Sequence, residues 1–362
     1  MMPRILLATL AVVALGAIFH GLGLTKFVPW HIVYSDILGF YERISPPGLP
    51  YVDKLIEYPV LTGVYMQIMA WLGVSRAGYF VASALGLTAL VGLATYLLWR
   101  LAGEGEKKRL WIYWAFAPSM FFFSVFNWDI LAVVFTLAAI YFERQNKISL
   151  AAGMIALGAS AKFFPVLFLV PLLLAPQRDI RTKFRALGAF LLTGLAVNIY
   201  FALKNFKGWL YFFELNSTRN SNNDSIWTIV RYFTGEIPIP ILNSVTFAIF
   251  AVLFFYLMWK YRRESFAKLC FLATISFLLT NKVFSPQYIF WLLPFFVLVY
   301  PPRLLWFYGL ELANLATFFI WIRWFFVSPS MIYFYLAAPF VILRHLVLGY
   351  LLYMVVKTKK LP

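Results

Sequence analysis

Residues 111–142 read WIYWAFAPSMFFFSVFNWDILAVVFTLAAIYF, and residues 148–177 read ISLAAGMIALGASAKFFPVLFLVPLLLAPQ. The first block has 32 residues and one charge, Asp129. The second has 30 residues and one charge, Lys162. Each charge sits near the middle of its block. Arg100, Lys107, Lys108 and Arg109 precede the first block, and Arg144 and Lys147 separate the two. Arg178, Arg181, Lys183 and Arg185 follow the second. Short loops rich in Lys and Arg stay on the cytoplasmic side. Each block is therefore expected to cross a membrane an even number of times. A single long tilted helix per block is the alternative, and it conflicts with this charge bias. At the helical rise, each half is only about 22 Å long, against a hydrocarbon core of about 30 Å. The halves should meet below the outer surface, with protein covering the reversal. Asn127-Trp128-Asp129 and Lys162-Phe163-Phe164-Pro165 mark the two expected pivots, with a polar cavity between them near the outer leaflet.

The rest of the chain supports this reading. Of 362 residues, 63% are hydrophobic and 12% charged, and the mean hydropathy is +0.81. A soluble domain carries about 25% charged residues. Ile5–Leu24 and Ala77–Trp99 hold no acidic or basic side chain apart from His20. Pro329–Leu343 and His345–Val356 are separated only by Arg344. Continuous rather than alternating apolar runs indicate helices, not a barrel. The expectation is an all-α integral membrane protein of about twelve spans, a single transmembrane domain over 1–362. The first span, 4–24, resembles a signal peptide but lacks a cleavage site close after it, and is read as uncleaved.

The net charge of +17 is read as topology rather than nucleic-acid binding. Its basic groups, including Lys260, Arg262, Arg263, Lys268, Lys357, Lys359 and Lys360, recur at one side. Both termini are then cytoplasmic. Residues 25–76 form a large first external loop with short interfacial helices, and 204–238 form a second. The latter contains LNSTRNSNNDS, a hydrophilic patch with two sequons. The single cysteine, Cys270, excludes an internal disulfide framework.

Ionisable groups in or at the edge of a bilayer are costly and are functional candidates. On the expected outer side these are Asp36, Glu42, Asp53, Glu57, Asp129, Lys162, Lys282 and Arg323. Asp36 follows the first span, and its functional reading is a general base toward a hydroxyl; a helix cap is the plainer one. Glu57-Tyr58-Pro59 precedes a helix expected over 59–73, because Pro59 suits a first helical turn. That helix cannot span as well as 77–99 does, or Arg100 would fall outside. Glu42 and Asp53 are read as solvated or capping. Lys162, Lys282 and Arg323 could hold a lipid-linked phosphate or snorkel to headgroups, with Arg219 a further clamp. Gln287 and Tyr288 could bond a sugar. No cofactor is expected. His20, His31 and His345 are too scattered for a His-rich metal site, although a divalent ion on Asp36 and a second acid stays open.

Four stretches taken together resemble glycosyltransferase family 87, formerly a domain of unknown function. They are the Asp36 loop with Glu57-Tyr58-Pro59-Val60-Leu61; Phe126-Asn127-Trp128-Asp129-Ile130-Leu131-Ala132; Gly158-Ala159-Ser160-Ala161-Lys162-Phe163-Phe164-Pro165; and Asn281-Lys282-Val283-Phe284-Ser285-Pro286-Gln287-Tyr288. The family's loop has two consecutive prolines where this chain has Pro59-Val60. The resemblance implies the GT-C fold and inverting transfer of a sugar, expected to be mannose, from a polyprenyl-phosphate donor. The acceptor would be a glycolipid or glycan hydroxyl at the external face. It also implies that the first-loop acid, matched by Asp36, is the base. A lipid or glycolipid transporter or flippase is the alternative function.

Overall fold

The computed structural model describes residues 1–25, 27–327 and 331–358. Lys359 and Lys360, counted above among the basic residues, lie outside the described residues. Among the described residues the chain is helical, with one isolated bridge between Pro50 and Lys54.

Helix α1 (Met2–Gly21) runs on through one tight turn to Leu24. Short helices α2 (Trp30–Val33), α3 (Asp36–Ile44) and α4 (Val60–Gly73) fill the first loop before α5 (Arg76–Leu101). The two opening blocks do break. The first divides into a π-helical turn at Trp111–Ala115, α6 (Pro118–Phe123) and α7 (Asp129–Arg144). The second divides into α8 (Ile148–Ala161), a 3-10 turn at Phe164–Phe168 and α9 (Leu169–Leu174). Both interruptions coincide with the expected pivots. Lys162 leaves α8 in an extended conformation, φ −147° and ψ 129°, and Pro165 lacks the N–H that would carry a helix through.

The chain continues through α10 (Ile180–Lys204), α11 (Phe206–Thr218), α12 (Ile226–Thr234), α13 (Ile239–Lys260) and α14 (Phe266–Thr280). A 3-10 segment at Pro286–Leu292 leads into α15 (Leu293–Leu298), then α16 (Leu304–Phe326) and α17 (Met331–Lys357). Among the described residues, six helices are long and apolar enough to cross a membrane by length and composition: α1 with its extension, α5, α10, α13, α16 and α17. The shorter α7, α8, α14 and α15 are packed among them, and α14 and α15 bury most of their side chains. Stacked rings close this core: Phe164 lies on Trp291 at 3.9 Å and Tyr288 on Trp291 at 4.1 Å.

A broken helix exposes backbone N–H groups that lipid cannot satisfy. One such end is met by a buried acid from another helix. Glu311 of α16 accepts from the Ser119 backbone N–H at 2.9 Å and from its hydroxyl at 2.7 Å, both through Oε2. The carboxylate thus sits at the positive end of α6.

Two boundaries differ from the sequence reading. Helix α10 begins at Ile180, inside the basic loop of Arg178, Arg181, Lys183 and Arg185, because Asp179 caps it by accepting from the Thr182 N–H at 2.8 Å. Arg181, Lys183 and Arg185 therefore ride on its first turns. The expected loop over 204–238 is largely helical, holding α11 and α12. Leu215–Thr218, the start of the hydrophilic patch, form the last turn of α11. Asn205 caps α11 by accepting from the Gly208 N–H at 3.0 Å. Gly208 allows the helix to touch the first loop directly, since a Cβ there would fall 2.0 Å from the Tyr51 carbonyl oxygen. The helix expected at Pro59 is present as α4, with Pro59 at its cap. Thr62 ties α4 to the end of α8 by donating to the Ala161 carbonyl at 2.7 Å.

Candidate active site

A cavity of about 960 Å³ lies where the first loop, the two pivots, α11, the 219–225 loop and the 281–288 segment converge. Its wall includes Asp36, Glu57, Tyr58, Lys162, Lys282, Gln287 and Tyr288, together with Tyr34, Arg219, Asn222 and Asp224. Asp36, Glu57, Lys162, Arg219, Lys282, Gln287 and Tyr288, all singled out from sequence, therefore meet in one space.

Asp36 occupies the first turn of α3, after Ser35 in extended conformation. The helix start is stitched to the first pivot. The Ile37 N–H and the Ser35 hydroxyl both donate to the Phe126 carbonyl, each at 3.4 Å. The Asp36 carboxylate then receives three donors. The Tyr34 hydroxyl reaches Oδ1 at 2.9 Å; Asn127 Nδ2 and the Tyr58 hydroxyl reach Oδ2 at 2.7 and 3.4 Å. Burial raises its pKa from the ordinary carboxylate range to about 6, against the opposing pull of the Tyr34 and Asn127 hydrogen bonds and of Lys162. Glu57 adds to the rise. The Tyr34 phenol is pushed up, first by the Asp36 charge and then by burial, so it remains a donor.

Lys162 faces the same cavity from the end of α8. Its ammonium pairs with Asp129 at 2.6 Å. It also lies 5.1 Å from the Tyr58 ring centre, 5.3 Å from that of Tyr288 and 5.9 Å from that of Trp291. An aromatic cage and one carboxylate thus hold a cation whose remaining N–H donors are available to an anion. Lys282 is held differently: its ammonium donates to the Arg219 carbonyl at 2.6 Å. Glu57 pairs with Arg43 at 3.3 Å. Glu42 is exposed, and Asp53 accepts from the Leu49 N–H at 2.7 Å, a local turn bond.

Two sequence candidates are placed elsewhere. Asp129 is fully buried and does not line the cavity; it stands behind Lys162, with which it pairs. Arg323 is exposed, lies outside the cavity wall and donates through Nε to the Tyr333 hydroxyl at 3.2 Å. The aromatic run of α16 turns Trp321, Ile322 and Trp324 inward instead.

Other groups carry more than the sequence reading gave them. Asn127, which the sequence marks only as part of a pivot, bonds Asp36 directly; an amide in a nearly charge-free block is itself a signal. Arg344 is completely buried in α17. It donates to the Asn314 side-chain oxygen at 2.8 Å and to the Asp224 carbonyl, and covers the Phe284 ring at 3.9 Å. It thereby braces two strips of the cavity wall, 222–225 and 281–284. The same strips are joined where the Phe284 N–H donates to Asn222 at 2.8 Å and the Asn222 N–H to the Lys282 carbonyl at 3.2 Å.

The profile of glycosyltransferase family 87 matches residues 56–286, more than half of the chain. The chain belongs to glycosyltransferase family 87. It is an all-α membrane protein of the GT-C type with several apolar helices. The family match takes in Glu57, Tyr58, Asn127, Asp129, Lys162 and Lys282; Asp36 precedes it, and Gln287 and Tyr288 follow it. The chain is also similar to GPI mannosyltransferase 1 of Kluyveromyces lactis, 25% identical over 174 residues. That alignment covers 43% of this chain and 43% of the yeast protein, so this family 87 chain matches less than half the length of that relative.

Proposed function

We propose that this protein transfers a sugar, expected to be mannose, from a polyprenyl-phosphate donor to a hydroxyl of a glycolipid or glycan acceptor, with inversion. One observation carries the reading: a buried, hydrogen-bonded carboxylate and an aromatic-caged ammonium share one cavity bordered by apolar rings. In the proposed reaction, Lys162 and Lys282 hold the donor phosphate. Gln287, Tyr288 and Glu57 contact sugar hydroxyls. The acceptor oxygen attacks the anomeric carbon from the face opposite the phosphate. Asp36 takes the hydroxyl proton as the new C–O bond forms, and polyprenyl phosphate departs with the electrons of the broken C–O bond. Phosphate is already a good leaving group, so no strong acid is needed at that side, unlike glycoside hydrolysis.

The family supports a glycosyl transfer, and the printed name of the yeast relative supports mannose. The paired basic loops and the two broken blocks support about twelve crossings in one domain over 1–362. Both termini would be cytoplasmic, and the loops at 25–76 and 204–238 external. On this topology the cavity opens at the outer face of the cell membrane. The partners are then the lipid donor, the acceptor and membrane lipids, without nucleic acid.

The test uses purified protein in vesicles with labelled polyprenyl-phosphate-mannose and a lipid-extract acceptor. Label appearing on the acceptor is the expected result. Movement of lipid between leaflets with no transfer from any polyprenyl-phosphate sugar would overturn it in favour of a transporter.

A further inference from the structure

We propose that Asn127 is a positioning residue that fixes the orientation of the Asp36 carboxylate for proton transfer. The inference rests on Asp36 being the base, and extends that reading to a group outside the first loop. Of the three donors on Asp36, Asn127 is the one whose direction is set at both ends. Its Oδ1 accepts from the Trp128 backbone N–H at 2.5 Å, and its Nδ2 donates to Asp36 Oδ2 at 2.7 Å. A flipped amide would set Nδ2 against the Trp128 N–H and Oδ1 against the carboxylate, losing both bonds. Nδ2 also lies 3.0 Å from the Tyr58 hydroxyl oxygen, so it orders the second donor to the same carboxylate oxygen. Trp128 locks the turn that carries the amide, packing edge-on against Phe40 of α3 at 5.6 Å and Tyr58 at 5.2 Å.

The phenols of Tyr34 and Tyr58 can rotate their protons and can accept as well as donate. An amide NH₂ only donates, and it does so at every working pH. An ionised carboxylate has about four acceptor positions. Three are occupied here, which leaves one for the acceptor hydroxyl. Without Nδ2 the carboxylate can turn about its last torsion, which is broad and two-fold, and spends less time in the reactive orientation. A misplacement of about 1 Å can cost on the order of 100-fold in rate.

The same bond favours the charged carboxylate, so its loss raises the pKa of Asp36. The other titratable groups facing Asp36 are Lys162 at the end of α8, Glu57 and Tyr58 ahead of α4, and Tyr34 ahead of α3. Arg43 on α3 and Asp129 on α7 act at one remove, through Glu57 and Lys162. Of these, a substitution at Asn127 removes a direct contact only from Tyr58, whose hydroxyl loses the hydrogen bond from Nδ2.

The experiment compares wild type, Asn127→Ala, Asn127→Asp and Asp36→Asn in the transfer assay across pH, with the melting midpoint in detergent as the fold control. Asn127→Ala should lower kcat by roughly 10- to 100-fold and leave the donor KM within about threefold, because no phosphate or sugar contact is removed. The acid limb of kcat/KM should move to higher pH by roughly half a unit or more. Asn127→Asp keeps the shape and should move the limb further, through repulsion between two carboxyl groups; it carries the test if the alanine variant does not fold. An acid limb fixed at its wild-type position in the folded variants would overturn the inference, leaving Asn127 a structural residue. If that result accompanies an inactive Asp36→Asn, the positioning role alone is lost. If Asp36→Asn transfers at the wild-type rate, the base assignment falls and takes this inference with it.

Discussion

Asp36 can accept a proton only when ionised, and burial has lifted its pKa to about 6. Transfer should therefore fall as pH drops through about 6 and be level above it, until another group intervenes. A pH series of kcat/KM checks this; a flat profile between pH 5 and 8 would be inconsistent with an Asp36 base. Lys162 offers a second test. Lys162→Met keeps much of the side-chain volume but leaves Asp129 buried without its cation, so it should cost both donor affinity and stability. Lys162→Met with Asp129→Asn removes both charges. Stability in that double variant should recover while donor binding does not, because the phosphate still lacks its ammonium. Recovery of both in lipid-donor titrations would argue that the pair is structural only. At this scale the sequence marked the ionisable residues well, since a lone charge in an apolar block is conspicuous. It did not separate Lys162, which faces the cavity, from Asp129, which stands behind it. Both looked alike as single charges, and only the packing decides which one is covered.

At the level of elements, the pivots were legible because proline and polar residues inside an apolar block leave few alternatives to a break. Helix α11 was missed for the opposite reason. Its start joins a local Asn205 cap to Gly208 meeting Tyr51, and the second contact links residues far apart in sequence. Gly208→Ala would push a Cβ into backbone that has no flexible end to yield, so α11 should shift off the first loop. The expected result is a lower melting midpoint and weaker activity, by roughly 1–3 kcal/mol of stability as for other overpacked contacts. Gly188→Ala, on an open face of α10 with nothing within 4 Å, should leave the midpoint unchanged or slightly raised. Equal effects in a detergent melt would contradict the proposed docking of α11. Arg344 belongs here too. Arg344→Met removes the donor to the Asn314 side chain and the Asp224 carbonyl, and each buried acceptor left unsatisfied costs about 1–3 kcal/mol. Its melting midpoint should drop sharply.

Across the whole molecule, composition and charge bias carried the class, while the number of crossings depends on how the short helices are paired. Among the described residues, six helices are long and apolar enough to span on their own. The short helices α7, α8, α14 and α15 cross only if neighbours cover their ends, and a hydropathy pattern alone does not report such cover. Cysteine labelling in a Cys270→Ser background tests the resulting arrangement. A cysteine at Glu42 should react with an impermeant maleimide from outside the cell, and one at Lys107 only after permeabilisation. The opposite pattern would invert the topology and move the cavity to the inner face. The central claim concerns one carboxylate, and it is tested most directly by the rate of mannose transfer from labelled polyprenyl-phosphate-mannose by Asp36→Asn against wild type. The substitution keeps the shape and removes the base, so transfer should fall by at least roughly 100-fold while the protein stays folded and still binds the donor. Transfer at the wild-type rate would contradict the account.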